Sequence, residues 1–197
     1  MFSNIPNILT LLRIVLIPVF IAFFYLPIAH VNQICAAIFA LAAITDWLDG
    51  YLARKLGQMS AFGAFLDPVA DKLMVITALI LLVEVDPTPA LAIPTIIIIS
   101  REISISALRE WMAEIGERAK VAVTIIAKIK TAAQMLAIIM LIYRESIWDI
   151  PVYTIGYVLL YVSAVLTVWS MFVYLKAALP SMNDSVAEDQ KNQEDVE

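Results

Sequence analysis

Long apolar runs separated by short polar breaks dominate the sequence and limit the folds open to it. A helix of about 20 apolar residues crosses the hydrocarbon core of a bilayer. Six stretches approach or exceed that length: residues 7–29, 33–54, 66–84, 90–110, 121–143 and 151–177. Hydrophobic residues make up 62% of the chain and charged residues only 16%, unlike a soluble domain. The sequence therefore predicts an all-α integral membrane protein with six transmembrane helices.

The two ends of the chain are predicted to be short additions to one membrane domain. The "NIPN" stretch before the first apolar run is predicted to be a short N-terminal interfacial segment. No cationic region precedes that run, so a removable signal peptide is not expected. Six acidic residues fall within the last 14 positions: Asp184, Glu188, Asp189, Glu194, Asp195 and Glu197. We predict a single membrane domain over residues 1–180 and an acidic, disordered cytoplasmic tail over residues 181–197.

Basic residues near the helix ends predict the orientation, because lysine and arginine are retained on the cytoplasmic side. They cluster after the second helix, between the fourth and fifth, and at the end of the sixth: Arg54, Lys55, Arg109, Arg118, Lys120 and Lys176. The loops of the opposite side carry only Arg144. Both termini are therefore predicted to be cytoplasmic.

Four aspartates interrupt the second and third helices close to their predicted cytoplasmic ends. Asp46 and Asp49 are three residues apart, and Asp67 and Asp71 are four apart, so each pair lies on one face of its helix. Carboxylates inside a membrane bundle cannot all stay ionised without compensation. One or two divalent cations would provide it. Oxygen ligands favour Mg²⁺, Ca²⁺ or Mn²⁺, and Mg²⁺ completes its shell with waters and substrate phosphates.

Small residues follow the first aspartate pair, and they have two interpretations. Gly50, Ala53, Gly57 and Gly63 remove side-chain bulk between the two pairs. They would allow a ligand to approach the backbone, or equally they would allow close packing of membrane helices.

The acidic stretch is similar to the signature of the CDP-alcohol phosphatidyltransferase family. Its pattern is Asp46-x-x-Asp49-Gly50-x-x-Ala53-Arg54, eight residues, then Gly63-x-x-x-Asp67-x-x-x-Asp71. The match holds at every defined position. The resemblance implies a six-helix membrane enzyme that joins an alcohol to the phosphatidyl group of a CDP-linked lipid and releases CMP.

The same resemblance implies roles for the matched residues. Two divalent ions, Mg²⁺ or Mn²⁺, would be held against the diphosphate by Asp46, Asp49, Asp67 and Asp71. Asp71 would also act as the general base. The residues implied near the CDP-lipid are Asn7, Asp49, Gly50, Ala53, Arg54 and Gly63. From the residues alone, the base is the carboxylate least committed to metal, which spacing does not identify.

Cations inside the fourth and fifth helices suggest that the acceptor carries a phosphate of its own. Arg101 interrupts an apolar run, and Lys128 and Lys130 do the same in the next helix. Arginine can hold a phosphate through two hydrogen bonds and lysine as a point charge. Two alternatives stay open: Glu102 could pair with Arg101, and Lys128 could snorkel to the interface.

Three further blocks resemble the bacterial branch of the family that makes phosphatidylglycerol phosphate. They are "NIPNILTLLRIVLIPVF", "SREISISALREWMAEIG" and "KIKTAAQM". The resemblance implies CDP-diacylglycerol and sn-glycerol 3-phosphate as substrates, with a site that faces the cytoplasm from the bacterial inner membrane. Residues implied near the glycerol phosphate are Thr45, Arg101, Arg109, Lys128 and Lys130.

Several alternatives and partners complete the expectations. An acceptor such as inositol phosphate or phosphatidylglycerol would keep the family and change the product. A cation or proton transporter would also place acids inside helices, although no repeated halves are evident. Membrane lipids are expected partners and nucleic acid is not. Related enzymes are often dimers, but the sequence shows no interface signal.

Other conspicuous side chains are expected to be structural. Cys35, the single cysteine, is predicted to be a small buried apolar residue. Trp148, Tyr153 and Tyr157 are predicted to be aromatic anchors at the outer membrane interface, and Trp47 is predicted to pack against lipid.

Overall fold

A computed structural model describes residues 5–56, 61–114 and 125–194. Within these ranges the chain forms six α-helices and no strand, which confirms the all-α prediction. The helices are α1 (Ile5–Phe24), α2 (Val31–Leu56), α3 (Ala61–Val85), α4 (Pro89–Glu114), α5 (Ile125–Tyr143) and α6 (Val152–Glu194).

Several helix ends differ from the bounds predicted from apolar runs. α3 begins at Ala61 rather than at residue 66, and α4 ends at Glu114 rather than at residue 110. α1 ends at Phe24 rather than at residue 29, because Pro27 disfavours a helical conformation in the residue before it. α6 continues to Glu194 and so includes most of the segment 181–197. That segment is rich in residues with good helix propensity, and it follows a helix that is already formed. The division into membrane domain and tail stays a prediction.

Among the residues that the structure describes, two helical segments are long and apolar enough to cross a membrane. They are Pro89–Ala113 and Val152–Lys176, with mean hydropathies of 1.7 and 2.0. Shorter apolar segments lie in three other helices: Ile8–Phe24, Val31–Asp46 and Ile129–Tyr143. Charged residues at one end of α2 and α3 shorten the apolar part of those helices. The count of six spans and the orientation of the termini stay predictions.

One apolar core joins all six helices. Large side chains that are fully buried in it include Phe20, Phe39, Leu79, Leu82, Ile98, Ile138, Leu141 and Leu160. Cys35 is 1% exposed in the same core, which confirms the structural interpretation of this residue. α5 and α6 approach closely at Gly156, where an added Cβ would lie 3.0 Å from the Cβ of Met140. Any residue larger than glycine would therefore be crowded at this position.

At one end of the bundle, polar contacts tie the loops together. Tyr25 donates a hydrogen bond to Glu84 at 2.5 Å. Asp86, between α3 and α4, accepts hydrogen bonds from the hydroxyls of Tyr157 at 2.5 Å and Tyr153 at 2.8 Å. Trp148, in the α5–α6 loop, is 93% exposed. The two tyrosines thus connect α6 to the α3–α4 loop, and the role of all three aromatics at a membrane interface stays a prediction.

Replacing Asp86 with asparagine is expected to lower the free energy of unfolding at neutral pH by about 1 kcal/mol. This loss is below the usual range of about 1.5–3 kcal/mol for hydrogen bonds to a charged group, because water screens a carboxylate near the surface. The hydrogen bonds from Tyr157 and Tyr153 lower the pKa of Asp86 below its ordinary value. A depressed folded-state pKa stabilises the protein above the ordinary carboxyl pKa, and this stability is lost as the pH falls through the folded-state value.

Thermal unfolding of wild type and Asp86→Asn in detergent, from pH 7 down to pH 3, measures this effect. The difference between the two proteins should shrink below about pH 4. The double variant Tyr153→Phe/Tyr157→Phe is the matched control and should reproduce the loss at neutral pH. A difference that stays constant across the pH range would contradict the assignment.

Candidate functional site

The buried charged side chains that the structure describes, Arg13, Asp49, Arg101 and Lys130, lie at the opposite end of the bundle from Asp86. This end is formed by the beginnings of α1, α3 and α5, the ends of α2 and α4, and the middle of α6. The order of the chain alone does not bring these segments together, because they come from six different helices. The antiparallel course of the helices, joined by short connections, brings them to one end.

The acidic half of this site is built on α1 and α2. Asp46 and Asp49 lie on the same face of α2, as their spacing predicts, and both meet Arg13 of α1. The Nη2 of Arg13 donates a hydrogen bond to Oδ2 of Asp49 at 2.5 Å, and its Nη1 lies 2.7 Å from Oδ1 of Asp46. The side chains of Arg13 and Asp49 are 2% and 4% exposed, whereas that of Asp46 is 40% exposed. A buried guanidinium therefore neutralises part of the charge of this acid pair.

Asp71 of α3 lies beside this pair. It interacts electrostatically with both Asp46 and Arg13. Arg13 and Asp71 also border a small cavity of about 10 Å³, close to the minimum needed to hold one water molecule. The Nε of Arg13 has no hydrogen-bond acceptor among the described residues. The acidic half thus contains a buried donor next to the carboxylate that the family resemblance implies as the base.

The oxygen ligands at this end suit a hard divalent ion, but the full ligand set lies partly outside the described side chains. Asp46 and Asp49 are held on one face by Arg13, and carboxylate oxygens are the ligands that Mg²⁺ and Mn²⁺ prefer. The side chain of Asp67 lies outside the described residues. Among the side chains that are described, no group of three acidic, histidine or cysteine residues is close enough to hold a metal. The metal site therefore stays a prediction.

The cationic half is built on α4, α5 and α6. Glu102 accepts hydrogen bonds from Lys130 at 2.5 Å and from Nη1 of Arg101 at 3.1 Å. The Nη2 of Arg101 donates to the hydroxyl of Ser170 at 2.9 Å. Arg101 and Lys130 are buried, so the pairing with Glu102 reduces the cost of keeping their charges. The alternative left open from the sequence, that Glu102 pairs with Arg101, is therefore observed.

Tyr174 of α6 connects a second arginine to this half. The guanidinium carbons of Arg101 and Arg109 lie 5.6 Å and 5.4 Å from the centroid of its ring. Arg109 also donates a hydrogen bond to the Tyr174 hydroxyl at 3.3 Å. Arg109 is exposed while Arg101 is buried, so the ring lies between an inner and an outer cation.

α3 joins the acidic half to the cationic half. Lys72 donates a hydrogen bond to Ser106 of α4. Its neighbour Asp71 interacts electrostatically with Glu102 and Lys72 as well as with Asp46 and Arg13, and Lys130 interacts with Asp71. A carboxylate between an acid pair and a cation cluster is suitably placed to act on a substrate that spans both.

The structure places some of the predicted site residues and leaves others outside its description. Asp46, Asp49 and Asp71 meet at one end, and Arg101, Arg109 and Lys130 meet beside them. Thr45 is buried, and its hydroxyl donates to the carbonyl of Ala42 at 2.8 Å within α2. Seven predicted residues lie in helices but outside the described side chains: Asn7, Gly50, Ala53, Arg54, Gly63, Asp67 and Lys128. The binding role of every residue in these sets stays a prediction.

Five residues described at this end were absent from the sequence-based prediction: Arg13, Lys72, Ser106, Ser170 and Tyr174. Arg13 had a usable signal, because a cation inside an apolar run is a functional candidate by default. Among the described side chains of α6, Ser163, Thr167, Ser170 and Tyr174 are buried and carry a hydroxyl group. Their spacings of four, three and four residues mark one helix face, so the sequence did contain this stripe.

Comparison with known proteins identifies a family and relatives whose sequences are similar to this chain. The profile of the CDP-alcohol phosphatidyltransferase family matches residues 3–169. The chain is 54% identical over 184 residues to a Haemophilus influenzae protein, covering 93% of this chain and 97% of the relative. It is 57% identical over 175 residues to a Sodalis glossinidius protein (89% and 94%) and 52% identical over 181 residues to a Salmonella paratyphi A protein (92% and 98%). All three relatives are named CDP-diacylglycerol--glycerol-3-phosphate 3-phosphatidyltransferase.

Proposed function

The chain belongs to the CDP-alcohol phosphatidyltransferase family, and from this premise we propose that it transfers the phosphatidyl group of CDP-diacylglycerol to sn-glycerol 3-phosphate. The products are phosphatidylglycerol phosphate and CMP, in phospholipid biosynthesis. The names of the relatives supply the two substrates. The structural observation that carries the proposal is the position of Asp71. It borders one cavity with Arg13, the partner of Asp46 and Asp49, and its neighbour Lys72 donates a hydrogen bond to Ser106 of α4.

The acidic half is proposed to bind the diphosphate of CDP-diacylglycerol. The family is generally dependent on divalent metal ions. Asp46, Asp49, Asp67 and Asp71 would hold two ions, Mg²⁺ or Mn²⁺. When bound, such ions neutralise charge on the diphosphate and on the departing CMP. Asn7, Gly50, Ala53, Arg54 and Gly63 are proposed to contact the nucleotide or lipid, on the basis of the family signature.

The cationic half is proposed to bind the phosphate of the acceptor. Arg101 and Lys130 are buried charges that share one carboxylate, and the Nε of Arg101 has no acceptor among the described residues. A phosphate with two negative charges would satisfy these donors better than one carboxylate does. Arg109 extends the positive surface outward, and Lys128 and Thr45 are proposed to complete the pocket.

The reaction proposed at Asp71 is a single displacement with balanced proton transfer. An acceptor hydroxyl attacks the phosphorus of the phosphatidyl group, a new P–O bond forms, and the P–O bond to CMP breaks. The hydroxyl proton passes to the Asp71 carboxylate. Arg13 pairs directly with Asp46 and Asp49, whereas Asp71 lies on α3 next to Lys72, which donates a hydrogen bond to Ser106 of α4.

A membrane location follows from the family and from the two helices able to span a bilayer. We propose further that the protein is a six-span protein of the bacterial inner membrane, with its site and termini toward the cytoplasm, where both substrates' polar groups are available. An apolar groove of about 350 Å³ between α4 and α6 suits acyl chains of membrane lipids. We also propose a homodimer, and the only support for it is that related enzymes are often dimers.

CMP release from the purified protein tests this function. With CDP-diacylglycerol and Mg²⁺ or Mn²⁺ in mixed micelles, sn-glycerol 3-phosphate is expected to support rapid release. Inositol phosphate and phosphatidylglycerol are the control acceptors, and each should support little CMP release. Chelation should stop the reaction, and added metal should restore it.

Other results would redirect the assignment. Faster release with inositol phosphate or phosphatidylglycerol would keep the reaction and reject the acceptor. Metal flux into liposomes without nucleotide, together with no CMP release under any condition, would favour a transporter instead.

A further inference from the structure

Tyr174 is the one aromatic side chain that the structure records in contact with two arginines of the cationic half. Its ring centroid lies 5.6 Å from the guanidinium carbon of Arg101 and 5.4 Å from that of Arg109. Its hydroxyl accepts a hydrogen bond from Arg109 at 3.3 Å. The side chain is buried, with 3% of its surface exposed. α6 therefore holds two cations of α4 through one ring.

Two arginines near one another repel, and a flexible side chain with a like-charged neighbour tends to move away from it. The face of an aromatic ring carries negative potential and attracts both guanidinium groups. This attraction is stronger where water is excluded, as it is at Tyr174. The ring can therefore keep Arg101 and Arg109 close to each other before an anion is bound.

We propose that Tyr174 is a positioning residue for the acceptor phosphate, which acts by holding Arg101 and Arg109 in the arrangement that binds it. This inference rests on the proposed function, in which these arginines contact the phosphate of sn-glycerol 3-phosphate. Preorganised cations bind an anion more tightly because fewer side-chain rotamers are lost on binding. Tyr174 thus determines acceptor affinity without touching the reacting atoms.

A packing role alone would not require an aromatic ring. Tyr174 also lies in a small apolar cluster with Ile105, Met112 and Ala178. Leucine can fill part of that space but cannot attract cations, whereas phenylalanine retains the ring face and loses only the hydroxyl. The pair Tyr174→Leu and Tyr174→Phe therefore separates the two roles.

Steady-state kinetics with variable sn-glycerol 3-phosphate provide the first test. Tyr174→Leu is expected to raise the KM for this acceptor about tenfold, with a smaller change in kcat and an unchanged KM for CDP-diacylglycerol. Tyr174→Phe should stay within about threefold of wild type, because phenylalanine keeps the cation–π contacts. Tyr153→Leu, which removes a tyrosine of the same helix at the opposite end of the bundle, is the matched control and should leave both KM values unchanged. Equal losses in the Leu and Phe variants, or a rise in both KM values, would overturn the proposal.

Binding measured without turnover separates this inference from the proposed function. The midpoint of thermal unfolding is followed against sn-glycerol 3-phosphate concentration, with no CDP-lipid present. Tyr174→Leu and Arg101→Ala should both require a higher concentration of sn-glycerol 3-phosphate to reach half of the maximal rise in this midpoint. Tyr174→Phe should reach it at the same concentration as wild type. A shift in Arg101→Ala without one in Tyr174→Leu would reject Tyr174 and keep the phosphate pocket. No shift in either variant would reject the pocket itself, and Tyr174 with it.

Discussion

Asp71→Asn is expected to reduce CMP release by about 10²–10⁴-fold, the usual contribution of a general base, while CDP-diacylglycerol binding is largely retained. Asparagine has nearly the same shape as aspartate and cannot accept the hydroxyl proton. Asp71 interacts with groups of both halves of the site, whereas Asp46 and Asp49 are paired directly with Arg13. We therefore expect Asp71 to be needed for proton transfer more than for holding the lipid diphosphate.

The comparison with Asp46→Ala makes this prediction specific. Asp46 is proposed as a metal ligand, so its loss should weaken metal-dependent CDP-diacylglycerol binding as well as turnover. Binding can be measured on protein in lipid nanodiscs, with and without Mn²⁺, beside CMP release. If Asp71→Asn and Asp46→Ala lose lipid binding to the same extent, the separate role of Asp71 as base is wrong.

The all-helical fold was predictable because hydrophobic length and helical spacing are local properties of the sequence. Long apolar runs form helices in a bilayer, because each backbone N–H and C=O group there must make its hydrogen bond within the segment. The bounds were less accurate where local chemistry competed with hydrophobicity. Pro27 ends α1 before its apolar run is complete, and helix-forming polar residues extend α6 beyond its apolar part.

The site was predictable only where its residues share one helix. Asp46 and Asp49 face the same way because they are three positions apart on α2. Their partner Arg13 lies on α1, 36 positions before Asp49, and the sequence carries no signal for that contact. Tyr174 was missed for the same reason, because its contacts are with α4. Periodicity predicts the face of a helix, but the packing of the bundle decides which faces meet.

Arg13→Gln is expected to lower the free energy of unfolding by about 3–5 kcal/mol in the absence of divalent ions, the usual cost of removing one partner from a buried ion pair. Arg13 is fully buried, and it contacts both carboxylates of α2. Glutamine would leave Asp49, itself 4% exposed, without this cation. If Asp46 and Asp49 are metal ligands as proposed, Mn²⁺ should restore much of the lost stability, because a bound divalent ion again neutralises the pair.

Thermal unfolding in detergent, with chelator and with Mn²⁺, measures both parts of this prediction. The double variant Arg13→Gln/Asp49→Asn is the matched control, since it removes one charge of each sign. In chelator, this double variant should be more stable than Arg13→Gln. Mn²⁺ should raise its stability less than it raises that of Arg13→Gln. Arg13→Lys should lose less stability than Arg13→Gln, because it keeps a positive charge without the two-pronged geometry. If Arg13→Gln is as stable as wild type in chelator, Arg13 does not neutralise the acid pair. If Arg13→Gln is less stable and Mn²⁺ does not reduce the loss, the result argues against a metal at Asp46 and Asp49.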